Sequence, residues 1–176
     1  EIPFRDLSFR RKEDAEEYPN RLELGVKNGI RFPEGFNSGH QVGLILDRIA
    51  LPYSDLDSFD NLPTPFRCVA TDLVSGKAIV FDRGSLSEAL RSTMSLPGIF
   101  SPVRRDNQVL VDGGLLKNLP VDVARAMGAD IVIAVHLEVK PLNPDKPLSA
   151  FGVLGESVSV VIAANELASM QKADVL

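Results

Sequence analysis

Residues 131–135 form an unbroken apolar run, Ile-Val-Ile-Ala-Val, between the glycine at position 128 and His136. A strand with one face in water alternates polar and apolar residues, whereas a run without polar residues is typical of a strand covered by helices on both faces. Strand-like and helix-like segments alternate along the chain around this run. The sequence therefore predicts an α/β domain in which helical layers enclose a sheet.

The remaining strand signals are shorter. Alternating apolar residues on either side of Asn28-Gly29 predict a β-hairpin over residues 21–32. Residues 66–70 and 78–81 are predicted to form two strands joined by a turn through Ser75-Gly76, and residues 109–111 a further strand.

Helix signals occupy the intervals. A helix capped by Asn37 or Ser38 is predicted to bury one stripe and to end at Pro52; the stripe consists of Val42, Ile45, Leu46 and Ile49. Ser85 followed three residues later by Glu88 predicts a capping box. A third helix is predicted to begin at Pro120 and end at Gly128, and a last one to cover about residues 148–170.

Composition excludes several classes of protein. The 176 residues are 44% hydrophobic, which suits one domain, and the net charge of −5 argues against binding to nucleic acid. The apolar stretch at residues 158–164 is too short to span a bilayer, so no transmembrane helix is expected, although peripheral contact with lipid remains open. The single cysteine, Cys68, excludes an internal disulfide and is expected to be buried.

Residues 109–120 carry the most informative pattern for chemistry. A strand delivers Asp112 into two glycines, Gly113 and Gly114, and a helix follows at Pro120. Functional groups of open α/β sheets collect where strands end, and glycines allow another segment to approach closely. Asp112 is therefore a candidate catalytic carboxylate. The competing interpretation is that Asp112 only caps the turn, as aspartate often does.

Four segments, in this order and at close to the expected spacing, resemble the patatin-like phospholipase family. They are FRCVATDL (66–73), ALRSTMSLPGIFSPV (89–103), VDGGLLKNLP (111–120) and MGAD (127–130). Asp-Gly-Gly followed by Asn-x-Pro is the most specific of them. The resemblance extends over nearly the whole chain, and Arg5-Asp6-Leu7 with the charged residues 10–14 looks like a bacterial branch of the family.

The resemblance implies a three-layer α/β/α sandwich with a mixed, mainly parallel central sheet. It implies a lipid acyl hydrolase of the phospholipase A or esterase type, acting on a phospholipid or another acyl-ester lipid through a serine–aspartate dyad. Asp112 would be the base, the turn of Gly113 and Gly114 would support it, and Asn118 would brace that turn or cap the helix at Pro120. Neither a metal nor a cofactor is expected.

The chain departs from the family pattern in one respect. It contains no G-x-S-x-G, the motif that carries the serine, and no glycine-rich loop before a first strand. The serine candidates with flanking glycines, Ser38 and Ser85, fit a helix start better than a nucleophile. We therefore expect residues 1–176 to be the C-terminal two-thirds of a single patatin-like domain that is inactive without its N-terminal segment.

Other polar residues have weaker claims to a role. His136, at the end of the apolar run, could complete a Ser–His–Asp triad, but a bond to a neighbouring backbone group is the simpler expectation. Asp72 is expected to organise the turn to Gly76, His40 to have no role, and Pro97-Gly98 to end a helix or to shape an acyl site. Two alternatives to hydrolysis stay open: a catalytically silent lipid- or protein-binding module, and acyl transfer to an acceptor other than water.

Overall fold

A computed structural model describes residues 25–26, 30–31, 35–137, 142 and 147–176. The residues that resemble a bacterial branch of the family, Arg5-Asp6-Leu7 and the charged residues 10–14, lie outside these ranges. Strands β1 (Gly25–Val26) and β2 (Ile30–Arg31) pair antiparallel, with Val26 opposite Ile30, which confirms the predicted hairpin. Its Asn28-Gly29 turn is outside the described residues. Strand β3 (Gly35–Asn37) follows.

A four-stranded antiparallel sheet forms the centre of the described structure. Its strands are β4 (Cys68–Asp72), β5 (Lys77–Phe81), β7 (Val103–Arg105) and β8 (Gln108–Asp112), in the spatial order β5-β4-β8-β7. The α/β class is confirmed, but the expectation of a mainly parallel sheet is wrong for this part of the chain. Tight turns join β4 to β5 and β7 to β8, and connections this short permit only antiparallel pairing.

Parallel pairing occurs outside that sheet. Strand β6 (Gly98–Phe100) pairs in parallel with β3, with Asn37 opposite Phe100. Gly98, predicted to end a helix or to shape an acyl site, begins this strand with a φ of 82° that side-chain-bearing residues rarely adopt.

The apolar run that predicted a fully covered strand behaves differently. Ile133 forms only a parallel bridge to Val175. Val132 and Ala134 are buried, whereas Ile133 is 69% and Val135 76% exposed. One face packs into a small cluster with Leu119 and Val121, and no described residue covers the other. The prediction that helices cover both faces of residues 131–135 is therefore wrong within the described structure.

Helix α1 (His40–Ala50) differs from its prediction at both the cap and the stripe. Its N-cap is Gly39, at φ 74°, and the Asn37 side chain instead accepts a hydrogen bond from the Gly39 N–H at 2.7 Å. Ile45 and Ile49 are 60% and 57% exposed, so most of the predicted stripe is not buried. A 3-10 turn, Leu51–Tyr53, contains Pro52 and follows the helix.

The main core lies between the sheet and helix α2 (Leu86–Thr93). It consists of Phe59, Cys68, Ala70, Phe81, Ala89 and Leu110. The Ser85 side chain caps α2 by accepting a hydrogen bond from the Glu88 N–H at 3.2 Å, which confirms the serine half of the predicted capping box, whereas the Glu88 carboxylate lies 3.4 Å from Arg105. All five residues of β4 are buried, which means that both faces of the central strand are covered.

Cys68 supplies a pH-dependent prediction. Burial raises the pKa of its thiol from 9.0 to about 12, so folding disfavours the thiolate. The contribution of the protonated thiol to the free energy of unfolding is complete below pH 9, the ordinary pKa of the thiol, and is lost as the pH rises toward 12. We expect the free energy of unfolding to fall by up to about 1.4 kcal/mol per pH unit in that window. Denaturant titrations at pH 8 and pH 10 measure the slope. A Cys68→Ala variant with the wild-type slope would contradict it.

Three helices complete the described fold: α3 (Gly114–Lys117), α4 (Val121–Ala126) and α5 (Ala150–Met170). Pro120 is the N-cap of α4, and Gly128 follows its end at φ 93°. Ser149 caps α5 by accepting from the Gly152 N–H.

Helix α5 corrects the expectation that the chain contains no helix able to span a bilayer. Among the described residues, Gly152–Met170 is long and apolar enough by length and composition, and only 6% of it is buried. A single helix of this kind is weak evidence for a membrane span, because core helices of water-soluble proteins pass the same test. Its C-terminal part makes polar contacts with the α3 region, described below.

Candidate active site at the end of β8

Asp112 is the last residue of β8, where the strand pairs with the central strand β4. It lies opposite Ala70, and its N–H donates to the Ser95 carbonyl at 3.0 Å. Because residues opposite each other share a face, Asp112 lies on the same side of the sheet as Ala70, the side on which the main core packs. The carboxylate is half-buried at the edge of that core.

Close contacts surround both glycines after Asp112, with a backbone atom next to Gly113 and side-chain atoms next to Gly114. A Cβ atom on Gly113 would lie 2.1 Å from the Val69 carbonyl oxygen, and one on Gly114 would lie 2.9 Å from Asn118 Oδ1. The predicted close approach of other segments is therefore present. Neither glycine has a positive φ, so the backbone conformation of the turn does not itself require glycine.

The Asp112 carboxylate is held at one oxygen. Oδ1 accepts a hydrogen bond from the Gly114 N–H at 2.7 Å, the capping contact that the competing interpretation predicted. Burial raises the pKa of Asp112, and the Gly114 N–H only partly counteracts it. Within the described part of the chain, Oδ2 accepts no hydrogen bond. The arrangement thus caps the turn and also leaves an oxygen available with increased basicity.

Asn118 contacts helix α5 from the far side of the turn. Its Nδ2 donates to Glu166 Oε1, and the neighbouring Asn165 Nδ2 donates to the Leu115 carbonyl at 2.6 Å. Within the described residues, the Asn118 side chain hydrogen-bonds to Glu166 and to no N–H group of α4. Of the two predicted roles, the brace fits these contacts and the cap does not.

His136 and Glu166 form a pair that sequence reasoning missed. His136 Nδ1 lies 3.2 Å from Glu166 Oε2, a side-chain partner that was not among the expectations for this histidine. Glu166 is only 5% exposed. The signal that could have identified it is an Asn-Glu dipeptide directly after the apolar stretch at residues 158–164.

The other singled-out residues have local roles. Asp72 accepts hydrogen bonds from the N–H groups of Val74, Ser75 and Val109 and from the Ser75 hydroxyl, which confirms its predicted place in the turn and lowers its pKa. His40 is exposed at the start of α1. No cluster of three or more His, Cys, Asp or Glu that could hold a metal ion occurs in the described ranges.

Three cavities lie away from Asp112. The largest, about 510 Å³, is lined by apolar residues of α4 and by Phe66 and Arg67. Cavities of about 280 and 210 Å³ lie on other sides of α4. Asp112 lines none of these three cavities.

Comparisons with known proteins identify the family. A family model described as patatin-like phospholipase matches residues 5–125. An uncharacterised NTE family protein of Mycobacterium tuberculosis is 39% identical over 87 residues, covering 49% of this chain and 24% of the relative. A second from the same organism is 38% identical over 109 residues, covering 62% and 18%. Patatin-like phospholipase domain-containing protein 7 of Mus musculus is 41% identical over 80 residues, covering 44% and 6%.

The chain thus spans about a quarter or less of the length of these relatives. The match over residues 5–125 includes β8, Asp112 and the following turn. It agrees with the resemblance that four sequence segments indicated independently of the fold. The chain belongs to the patatin-like phospholipase family.

Proposed function

We propose that this chain supplies the general base, Asp112, of a serine lipid acyl hydrolase whose nucleophile lies outside the 176 residues. The observation that carries the proposal is the half-buried carboxylate at the end of β8, which is held at one oxygen by the Gly114 N–H and whose pKa is raised by burial. Family membership supports lipid hydrolysis as the reaction class.

The reaction proceeds through an acyl-serine intermediate. Asp112 accepts the proton of the serine hydroxyl as the oxygen attacks the acyl carbonyl, and the protonated carboxyl then gives that proton to the departing alcohol. Water next loses a proton to Asp112 and attacks the acyl-serine; the acyl–oxygen bond breaks, the fatty acid leaves, and Asp112 returns the proton to the serine oxygen. Backbone donors that stabilise the oxyanion come, like the serine, from outside this chain. Neither step uses a metal or a cofactor.

The raised pKa of Asp112 matters for this chemistry. A carboxylate with an ordinary pKa is a weak base toward a serine hydroxyl, and general-base catalysis becomes more efficient as the pKa of the base approaches the working pH. Gly114 offers a single N–H, which orients the carboxylate without lowering its pKa below the ordinary value. The turn therefore orients the Asp112 carboxylate and leaves its pKa above the ordinary value.

Residues 1–176 form, in this proposal, the C-terminal two-thirds of one patatin-like domain. The exposed side chains of Ile131, Ile133 and Val135 support it, because an apolar strand face of this kind favours contact with another segment. The substrate is a phospholipid or another acyl-ester lipid, reached by peripheral contact with a lipid surface. No nucleic-acid contact is proposed.

Active-site labelling tests the proposal in the polypeptide that contains this chain. A fluorophosphonate probe, which reacts with activated serines, is expected to modify one serine outside residues 1–176, within a G-x-S-x-G sequence. Mass spectrometry of the digested protein locates the label. A label on any serine within residues 1–176, or none on an actively hydrolysing protein, would contradict the assignment. The absence of G-x-S-x-G from the polypeptide would favour a silent binding module.

A further inference from the structure

Glu166 is a buried carboxylate on α5 that the proposed reaction does not use. It is 5% exposed, and it lies in a helix that is otherwise apolar over most of its length. A carboxylate is costly to bury unless hydrogen bonds satisfy it. At Glu166 both oxygens have partners, since Oε1 accepts from Asn118 and Oε2 lies 3.2 Å from His136 Nδ1.

The contact with Asn118 extends to the turn that holds Asp112. Asn118 Oδ1 packs so closely on Gly114 that a Cβ there would lie 2.9 Å from it. Gly114 in turn provides the N–H that binds Asp112 Oδ1 at 2.7 Å. The path from α5 to the candidate base therefore consists of two hydrogen bonds, Glu166 to Asn118 and Gly114 to Asp112, on either side of one crowded position: a Cβ on Gly114 would lie 2.9 Å from Asn118 Oδ1 and 3.0 Å from Asp112 Oδ1.

The acceptor character of Glu166 determines the orientation of Asn118. An asparagine amide presents NH₂ at one end and oxygen at the other, and its orientation follows from its partners. Glu166 Oε1 accepts its hydrogen bond from the NH₂ end of Asn118, which leaves Oδ1 on the side of Gly114. A glutamine at position 166 could present either end and would not fix this orientation. A leucine would leave the amide without its partner.

A second contact holds the same segment. The Asn165 Nδ2 atom donates to the Leu115 carbonyl at 2.6 Å. Asn165 directly precedes Glu166 in the helix, and Leu115 directly follows Gly114 in the turn. The two adjacent side chains of α5 thus bind opposite ends of the segment between Gly114 and Asn118. Two side-chain hydrogen bonds therefore join α5 to the segment that follows Asp112.

We propose that Glu166 is a positioning residue, which fixes the Asn118 amide and, through Gly114, the orientation of the Asp112 carboxylate. This inference rests on the proposed function of Asp112 as base. It assigns a catalytic consequence to a contact between residues 48 positions apart in the chain. His136 stabilises the arrangement by binding the second oxygen of Glu166.

The test compares Glu166→Gln and Glu166→Leu in the full polypeptide with a matched control, Glu156→Gln, ten residues earlier in the same helix. We expect kcat per folded molecule to fall about 10-fold in Glu166→Gln and further in Glu166→Leu, with KM nearly unchanged, because misorientation of a catalytic group affects the chemical step. Hydrogen exchange at the Gly114 amide is expected to accelerate by a similar factor. Glu156→Gln should match wild type in both measurements.

The outcomes separate this inference from the proposed function. Activity that survives Asp112→Asn refutes the base assignment, and Gly114 exchange still reports whether Glu166 orders the turn. If Asp112→Asn abolishes activity while both Glu166 variants keep wild-type kcat and Gly114 exchange, the positioning role is overturned. A fall in activity that only follows the folded fraction, with Gly114 exchange unchanged, overturns it as well.

Discussion

Asp112→Asn in the intact polypeptide is expected to reduce kcat by about 10²–10⁴-fold, the usual range for loss of a general base, with KM nearly unchanged. Asparagine keeps the size of the side chain and its oxygen can still accept the Gly114 hydrogen bond, so the turn is preserved. What disappears is the capacity to take a proton. Esterase assays on wild type and variant measure the difference.

Folding provides an internal check on that variant. Burial raises the pKa of Asp112, so folding opposes ionisation of this carboxyl. Removing the charge is therefore expected to leave stability unchanged or increased at neutral pH, and any gain vanishes as the pH falls below the ordinary aspartate pKa, where wild type is also uncharged. Unfolding titrations at pH 7 and at about pH 3 test the sign of the difference in free energy of unfolding between the variant and wild type.

A matched substitution controls for the chemical change itself. Asp106 lies in the β7–β8 turn at φ 49°, a conformation that asparagine tolerates well, and it is highly exposed. Asp106→Asn should therefore retain wild-type activity. Wild-type turnover in Asp112→Asn, or an equal loss in Asp106→Asn, would remove the basis for assigning Asp112 as base.

Features with local causes could be predicted from the sequence. The Ser85 cap follows from a side chain and an N–H three residues apart, and the Asp72 turn from donors within three residues along the chain. The need for glycine at position 113 was also predictable, although its cause is the Val69 carbonyl on a neighbouring strand rather than an unusual backbone conformation.

Features that depend on distant segments could not be predicted. Strand β7 contains Arg104 and Arg105 and lacks an apolar alternation, so only its pairing with β8 identifies it. The exposure of Ile131 and Ile133 depends on which helices cover each face of that strand. Glu166 accepts a hydrogen bond from Asn118, which is 48 residues away, and no local sequence pattern predicts such a contact.

The same distinction between local and distant causes makes Gly113→Ala informative. The φ of Gly113 is −66°, which alanine adopts freely, so backbone preference alone predicts stabilisation by about 0.4–1 kcal/mol. The added Cβ would, however, lie 2.1 Å from the carbonyl oxygen of Val69, a backbone atom of the central strand β4. Because neither strand can shift without breaking its pairing, we expect a loss of about 3 kcal/mol in the free energy of unfolding.

Gly155→Ala is the matched control, since no atom lies within 4 Å of a Cβ at that position in α5. Replacing a glycine inside a helix at an open position is expected to stabilise the protein by up to about 1 kcal/mol. Denaturant unfolding of both variants should therefore give opposite signs. Equal effects would mean that the backbone of β4 and β8 moves to make room for the new methyl group. The close packing of Gly113 on Val69 would then not fix the position of Asp112.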